Sequence, residues 1–214
     1  MPIFYSEPKN TNENNEIVDN RLNLGDVENI DTLYIVSKNV AAYAFHITGG
    51  GAGLTVPDDD VVDGKQYLLL PNISVGTGTA YLNIIGSGAE IEKVYLLEKL
   101  FEFPDEDTFI KLDMSKPERG AIIQEDIYYN YSKIKGYFKR NVAYTTENIT
   151  VRKAREFERF RETYQHFYYL EDFDLFEAMP DRLYPALLDG DLESKYHLIL
   201  KDEGLEISYT VHQR

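Results

Sequence analysis

Cysteine and tryptophan are both missing from this 214-residue chain. Without cysteine there can be no disulfide, no thiolate metal site and no cysteine nucleophile, and a chain of this length does not need cross-links to hold a core. Positive charge is scarce: Lys and Arg number 22 against 37 Asp and Glu, a net charge of -15. That excess argues against general binding to nucleic acid or to an anionic membrane, both of which are negative themselves. It leaves room for a local basic patch on an otherwise solvated acidic surface. No apolar run approaches the roughly 20 residues that cross a bilayer. The opening MPIFYSEPKNTNENNEI has neither the basic nor the apolar region of a secretory signal, so a soluble protein made in a cytoplasm is expected. The four histidines, His46, His166, His197 and His212, form no HxxxH or HExxH pair, and zinc is not indicated.

What the chain does have is apolar and aromatic surface: 43% hydrophobic residues, with 17 Tyr and 11 Phe, enough for a packed core. Tyr and Phe favour strands. From residue 21 onward, short apolar runs alternate with turn residues: DTLYIVSK, VAAYAFHIT before GGGAG, GKQYLLLP, GTAYLNIIG and EIEKVYLLEKL. Runs of five to nine residues at even spacing predict an antiparallel sandwich. No helical segment lies between them, which argues against a parallel sheet. In TAYLNII both alternating faces are largely apolar, predicting a central strand covered on both sides. FEFPDEDTF and DMSKPERGA read as connections. KIKGYFKRNVAYTT alternates again, with Ile134, Gly136, Phe138, Arg140, Val142 and Tyr144 on one face. DRLYPALLDGDLE, KYHLIL and LEISYTVHQ follow as strands.

The one helical pattern is TVRKAREFERFRETYQHFYYL. Ala154, Phe157, Phe160 or Arg161, Tyr164 and Phe167 recur at helical spacing, and Asn148 or Thr150 can cap the start. Five basic residues and three glutamates share this segment. They can pair with one another at helical spacing, or the arginines can face an acidic neighbour. Residues 1–20 read as a polar, Asn-rich extended arm with Ile3, Phe4 and Tyr5 as its only adhesive residues. It would order on a partner or on the edge of its own domain.

Chemistry-bearing motifs are weak. GGGAG at 49–53 and GTGT at 76–79 lack the Lys-Ser/Thr pair and following helix of a phosphate loop, and read as sandwich loops. Asp58, Asp59, Asp60 and Asp63 crowd one segment, without the alternate spacing of an EF-hand. GSGAE is not a nucleophile elbow. Two carboxylates could hydrolyse a glycoside, but 37 acids single out no pair. The Tyr-rich stretches DIYYNYSKIKGY and QHFYYLEDFDLF suit interfaces, sugar stacking or plain β packing.

The order of these parts resembles known families. RLNLGDVENIDTLYIVSKNVAAYAFHI, KQYLLL, TAYLNII and IEKVYLLEKLFEF look like the galactose-binding-like (discoidin-type) sandwich domains of bacteriophage structural proteins, with Gly25, Ile30 and Val94 to Leu97 in matching places. KGYFKRNVAYTT, then the helix, HFYYLEDFD, LYPALLDGDL and LEISYTVHQ, resemble the C-terminal β-domain of phage tail proteins, where the helix lies beside the sheet over the aromatics that follow it. The chain lacks the tryptophan common in such strands.

The expectation is therefore a mainly β protein: an antiparallel jelly-roll sandwich plus a smaller α+β domain with one main helix. The arm would span 1–20, the sandwich 21–103, a connection 104–133, and the C-terminal domain 134–214 with its helix at 151–167. The resemblance implies a non-enzymatic virion component of a tail, baseplate or neck, made in the bacterial host cytoplasm. Its partners would be other virion proteins and its own copies, with no nucleic acid, membrane, cofactor, metal or catalytic residue. The expected interface residues are Arg152, Arg155, Arg159, Phe4 and Tyr5. The alternative is a carbohydrate-binding module using the loops ITGGGAGLTVPDDD and NISVGTGT.

Overall fold

The computed structural model describes residues 2–10, 17–48, 50–55, 61–62, 64–73, 77–103, 110–113, 118–125, 131–139, 141–170, 183–188 and 205–214. Antiparallel strands dominate, with one α-helix among the described residues. That helix is too short and too polar to cross a membrane. The chain divides into two compact units. One comprises Pro2–Glu102 with Leu170–Leu183, the other Phe103–Tyr169 with Tyr184–Arg214.

The first unit is built from β1 (Ile3–Tyr5), β2 (Arg21–Val27), β3 (Thr32–Lys38), β4 (Ala42–Ile47), β5 (Gly50–Thr55), β6 (Val61–Val62), β7 (Lys65–Leu70), β8 (Gly78–Ile85), β9 (Glu90–Leu97) and β10 (Lys99–Glu102). Two four-stranded sheets form, in the orders β2-β8-β4-β5 and β6-β7-β3-β9. Alternation decides which residues go inside. Leu22 and Leu24 of β2, Tyr43, Phe45 and Ile47 of β4, and Ala80, Leu82 and Ile84 of β8 share one buried cluster with Leu33 and Ile35 of β3 and Val94 and Leu96 of β9. A single core drawn from both sheets makes this an antiparallel sandwich. Each fully buried Leu or Phe contributes roughly 1.5–3 kcal/mol to holding the sheets together.

Two glycines fit backbone needs. Gly25, at a φ of 80°, sits where the β2–β8 register slips by one residue, a bulge position that side chains strain. A Cβ on Gly86 would fall 2.3 Å from the carbonyl oxygen of Asn39, so only glycine lets the turn after β8 pass the turn after β3.

Several expectations need correcting here. Gly50–Gly53 do not form a loop: they are strand β5, paired with Ala44 to Ile47 of β4. Strand β8 is central in its sheet but covered on one face only, since Tyr81 and Asn83 are half-buried and Ile85 is 59% exposed. Of the two outcomes expected for the arm, its described residues follow the second and order on an edge of their own unit. Phe4 and Tyr5 pair with Phe101 and Lys99 of β10. Ser6 to Asn10 then continue in the same sense along β9, with Ser6 N–H donating to the Glu98 carbonyl and Lys9 N–H to that of Leu96. Strand β9 is an edge of its sheet, and this segment gives its exposed polar groups partners.

The second unit contains β11 (Ile110–Asp113), β12 (Glu118–Glu125), β13 (Tyr131–Lys139), β14 (Asn141–Ile149), α1 (Val151–Thr163), β15 (Phe167–Leu170), β16 (Leu183–Leu188) and β17 (Leu205–Gln213). Its strands run in the order β15-β16-β17-β14-β11, and β12 and β13 form a separate ribbon. The stretch 104–133 therefore holds β11, β12 and the start of β13 rather than a plain connection. Residues 134–144 are not one strand. The chain leaves the β12–β13 ribbon after Lys139 and enters the larger sheet at Asn141, where β14 pairs with β11 and β17. Strand β17 alternates as expected, burying Tyr209 and Val211. The expected strand KYHLIL, 195–200, lies outside the described residues.

Candidate protein interface on the single helix

Helix α1 starts where the sequence allows a cap. Thr150 is extended, at φ −65° and ψ 148°, and its hydroxyl accepts from the Lys153 N–H at 3.2 Å. Of the two capping candidates, Thr150 is the one used. The helix ends at Thr163, four residues before the expected Phe167. Tyr164 is extended, its N–H closing the last turn on the Phe160 carbonyl at 2.9 Å. The run FYYL then follows its strand preference as β15 instead of its helical spacing.

The apolar stripe of the helix is sequestered. Ala154, Phe157 and Phe160 are buried. The Phe157 ring lies 5.1 Å from Tyr209 of β17 and 5.2 Å from Phe103, and Phe160 meets Phe167 edge-on at 5.5 Å. This aromatic cluster fixes the helix's rotation, and with it the face turned to solvent. That face carries Val151, 56% exposed, together with the exposed Arg152, Arg155 and Arg159. A surface hollow of about 460 Å³ is bordered, among the described residues, by Val151, Arg152, Arg155, Glu156 and Arg159.

The charges on this face are only partly matched. Glu156 takes both Arg152, at 3.1 Å, and Lys153, at 3.5 Å. The hydrogen bond from Arg152, helped by the charge of Lys153, holds its carboxyl below the usual carboxylate range. Arg155 and Arg159 make no ion pair among the described residues. The first turn contains no acid, and its two cations, Arg152 and Lys153, oppose the helix dipole. Each such placement works against the helix by roughly 0.3–1 kcal/mol. Intrahelical pairing therefore accounts for Arg152 and Lys153 but leaves Arg155 and Arg159 as cations without a local role among the described residues.

Of the five expected interface residues, the helix brings Arg152, Arg155 and Arg159 together. Phe4 and Tyr5 are elsewhere in the fold, 0% and 1% exposed, and present nothing to a neighbour. Phe4 packs edge-on against Phe101 at 5.9 Å. Burial pushes the Tyr5 phenol above its ordinary range.

Other candidates are less developed. The acids at 58–60 and 63, and parts of both proposed sugar loops, lie outside the described residues. Among the described residues no group of three His, Asp or Glu is placed to hold a metal ion. On the outer face of the sandwich, the Tyr81 ring carries the Arg21 guanidinium 3.6 Å from its centroid, and lies parallel to the His46 ring at 4.7 Å. This trio was not legible beforehand, because it requires the register that sets β2, β8 and β4 side by side. It occupies Tyr81 from both neighbouring strands, so this tyrosine is not a free stacking platform. No family description matches the chain, and neither a curated protein nor a solved structure does.

Proposed function

We propose that the chain is a non-enzymatic structural component of a phage virion, in a tail, baseplate or neck, working through protein–protein interfaces. The observation that carries this reading is the exposed pair Arg155 and Arg159, without ion pairs among the described residues, on the one described helix of a chain with a net charge of -15. A cationic face fixed by an aromatic cluster underneath it suits a surface that meets an acidic neighbour. The order of parts supports the same reading. A sandwich whose β2 carries LNLGDV and whose β9 carries KVYLL is followed by a β-rich unit with a helix over aromatics, as in the phage proteins the sequence resembles. On this reading the sandwich is galactose-binding-like and serves as a scaffold.

The test is mass spectrometry on density-banded particles from the source culture. Recovery of the chain in stoichiometric copies with capsid or tail proteins is expected. A chain abundant in cells and missing from the particles would overturn the reading.

A further inference from the structure

We propose that the occupant of the basic helix face is the acidic surface of a second copy of this chain, docked head to tail. This rests on the assembly reading above and goes beyond it by naming the partner and the symmetry of the contact.

Helix α1 holds five basic and three acidic residues, so the remainder of the chain carries a net charge of −17. Wherever a second copy presents a surface other than this helix, that surface is on average strongly negative. Arg155 and Arg159 stand one turn apart, their Cβ atoms about 5–6 Å from each other. That spacing offers two guanidinium forks to carboxylates on one approaching segment. The helix backbone below them is held by Phe157 and Phe160, so little ordering of main chain is needed when a partner arrives.

Charge also narrows the symmetry. A two-fold contact whose axis passes through this helix would set it against its own copy. Each copy would bring Arg152, Arg155 and Arg159, against Glu162 on the same stripe and Glu156, which Arg152 and Lys153 already engage. The positive excess on both sides makes that pairing repulsive. The complementary pairing joins two different patches, helix on one copy and acidic surface on the next. Made once between each pair of copies, such a contact leaves one free helix and one free acidic surface at the ends of every open complex and propagates into rings or filaments, whereas an off-axis two-fold would use both patches at once and stop at a dimer. It also gives a chain of high negative charge a way to associate despite its overall self-repulsion.

The experiment mixes full-length wild-type chain with the full-length double variant Arg155→Gln, Arg159→Gln at low salt. One of the two carries a heavy-isotope label, and the complexes are read by native mass spectrometry. Alone, the wild type is expected to form complexes larger than dimers. The variant should associate roughly ten-fold or more weakly, as expected for arginines central to an interface. Its acidic surface is intact, so in mixtures it should cap growing assemblies, giving species with several wild-type chains and a single variant. The control Arg155→Lys, Arg159→Lys should retain assembly. Mixed species limited to one-to-one dimers would overturn head-to-tail docking, and so would a variant that assembles as the wild type does. A wild type that stays monomeric would overturn self-association, while recovery of the chain from banded particles would still uphold the virion reading with a different partner.

Discussion

The side-chain amide of Asn10 grips the backbone of β9 at two points: its Oδ1 accepts from the Leu96 N–H at 3.0 Å, and its Nδ2 donates to the Val94 carbonyl at 2.9 Å. A side chain here does what a neighbouring strand would do for an edge. Asn10→Ala removes both bonds, and because water can reach the freed groups the loss should be about 1–3 kcal/mol. Urea unfolding should show a lowered midpoint. An unchanged midpoint would mean that the clasp adds nothing to the fold.

The arm's anchor is worth more. Phe4 is fully buried against Phe101. Phe4→Ala should cost about 3–5 kcal/mol, the usual range for emptying a buried aromatic site. An arm that ordered only on a partner would instead leave the stability of the isolated chain untouched, and thermal melts of the two proteins separate these cases.

Helix α1 depends on its cap and its aromatic underside. Thr150→Ala should cost about 0.5–2 kcal/mol, and Thr150→Gly only a few tenths. Phe157→Ala, which removes contacts to Phe103 and Tyr209, should cost about 3–5 kcal/mol. Circular dichroism melts check the order of the three. A Thr150→Ala protein as stable as its parent would show that the cap is idle.

Alkaline pH should unfold the sandwich. Burial pushes the Tyr43 phenol up to about 12, against a pull downward from its hydrogen bond to Ser37. A folded-state value above the unfolded one means that the stabilisation is complete below about pH 10, where an unfolded tyrosine ionises, and fades as pH rises towards about 12. The buried Tyr5 works in the same direction. Stability measured against pH should therefore fall in that window, with tyrosinate absorbance rising alongside. The substitution Tyr43→Phe should flatten the decline. An unchanged alkaline midpoint after that substitution would assign the effect elsewhere.

Much of the fold was legible because it rests on period. The β17 alternation and the Ala154–Phe157–Phe160 stripe each follow from side-chain direction along a strand or helix. Period fails where two elements are both compatible with it. Phe167 fits a helical stripe with Phe160, yet it stands in a run of aromatics that prefers a strand. Ile134 to Tyr144 keep one alternation across a change of sheet, because an alternating pattern says nothing about which partner a strand pairs with. The glycines of β5 look like a loop, since their place in a strand comes from β4 beside them rather than from any propensity of their own. The arm left two outcomes open for a related reason. Asn10 is an unremarkable residue in an Asn-rich stretch until the edge of β9 lies next to it. In the candidate interface, Arg152, Arg155 and Arg159 could be grouped from spacing alone. That Glu156 satisfies Arg152 and leaves the other two unmatched depends on side-chain geometry, which spacing does not contain.

The central claim is that the exposed basic face of α1 is an assembly surface, and one comparison tests it most directly. Sedimentation velocity of the wild type and of the double variant Arg155→Glu, Arg159→Glu at low salt, with thermal melts of both, separates assembly from folding. The account predicts that the wild type sediments as an assembly that weakens as salt is raised, and that the variant sediments as a monomer with a melting temperature close to that of the wild type. Assembly that survives the charge reversal undiminished would contradict it.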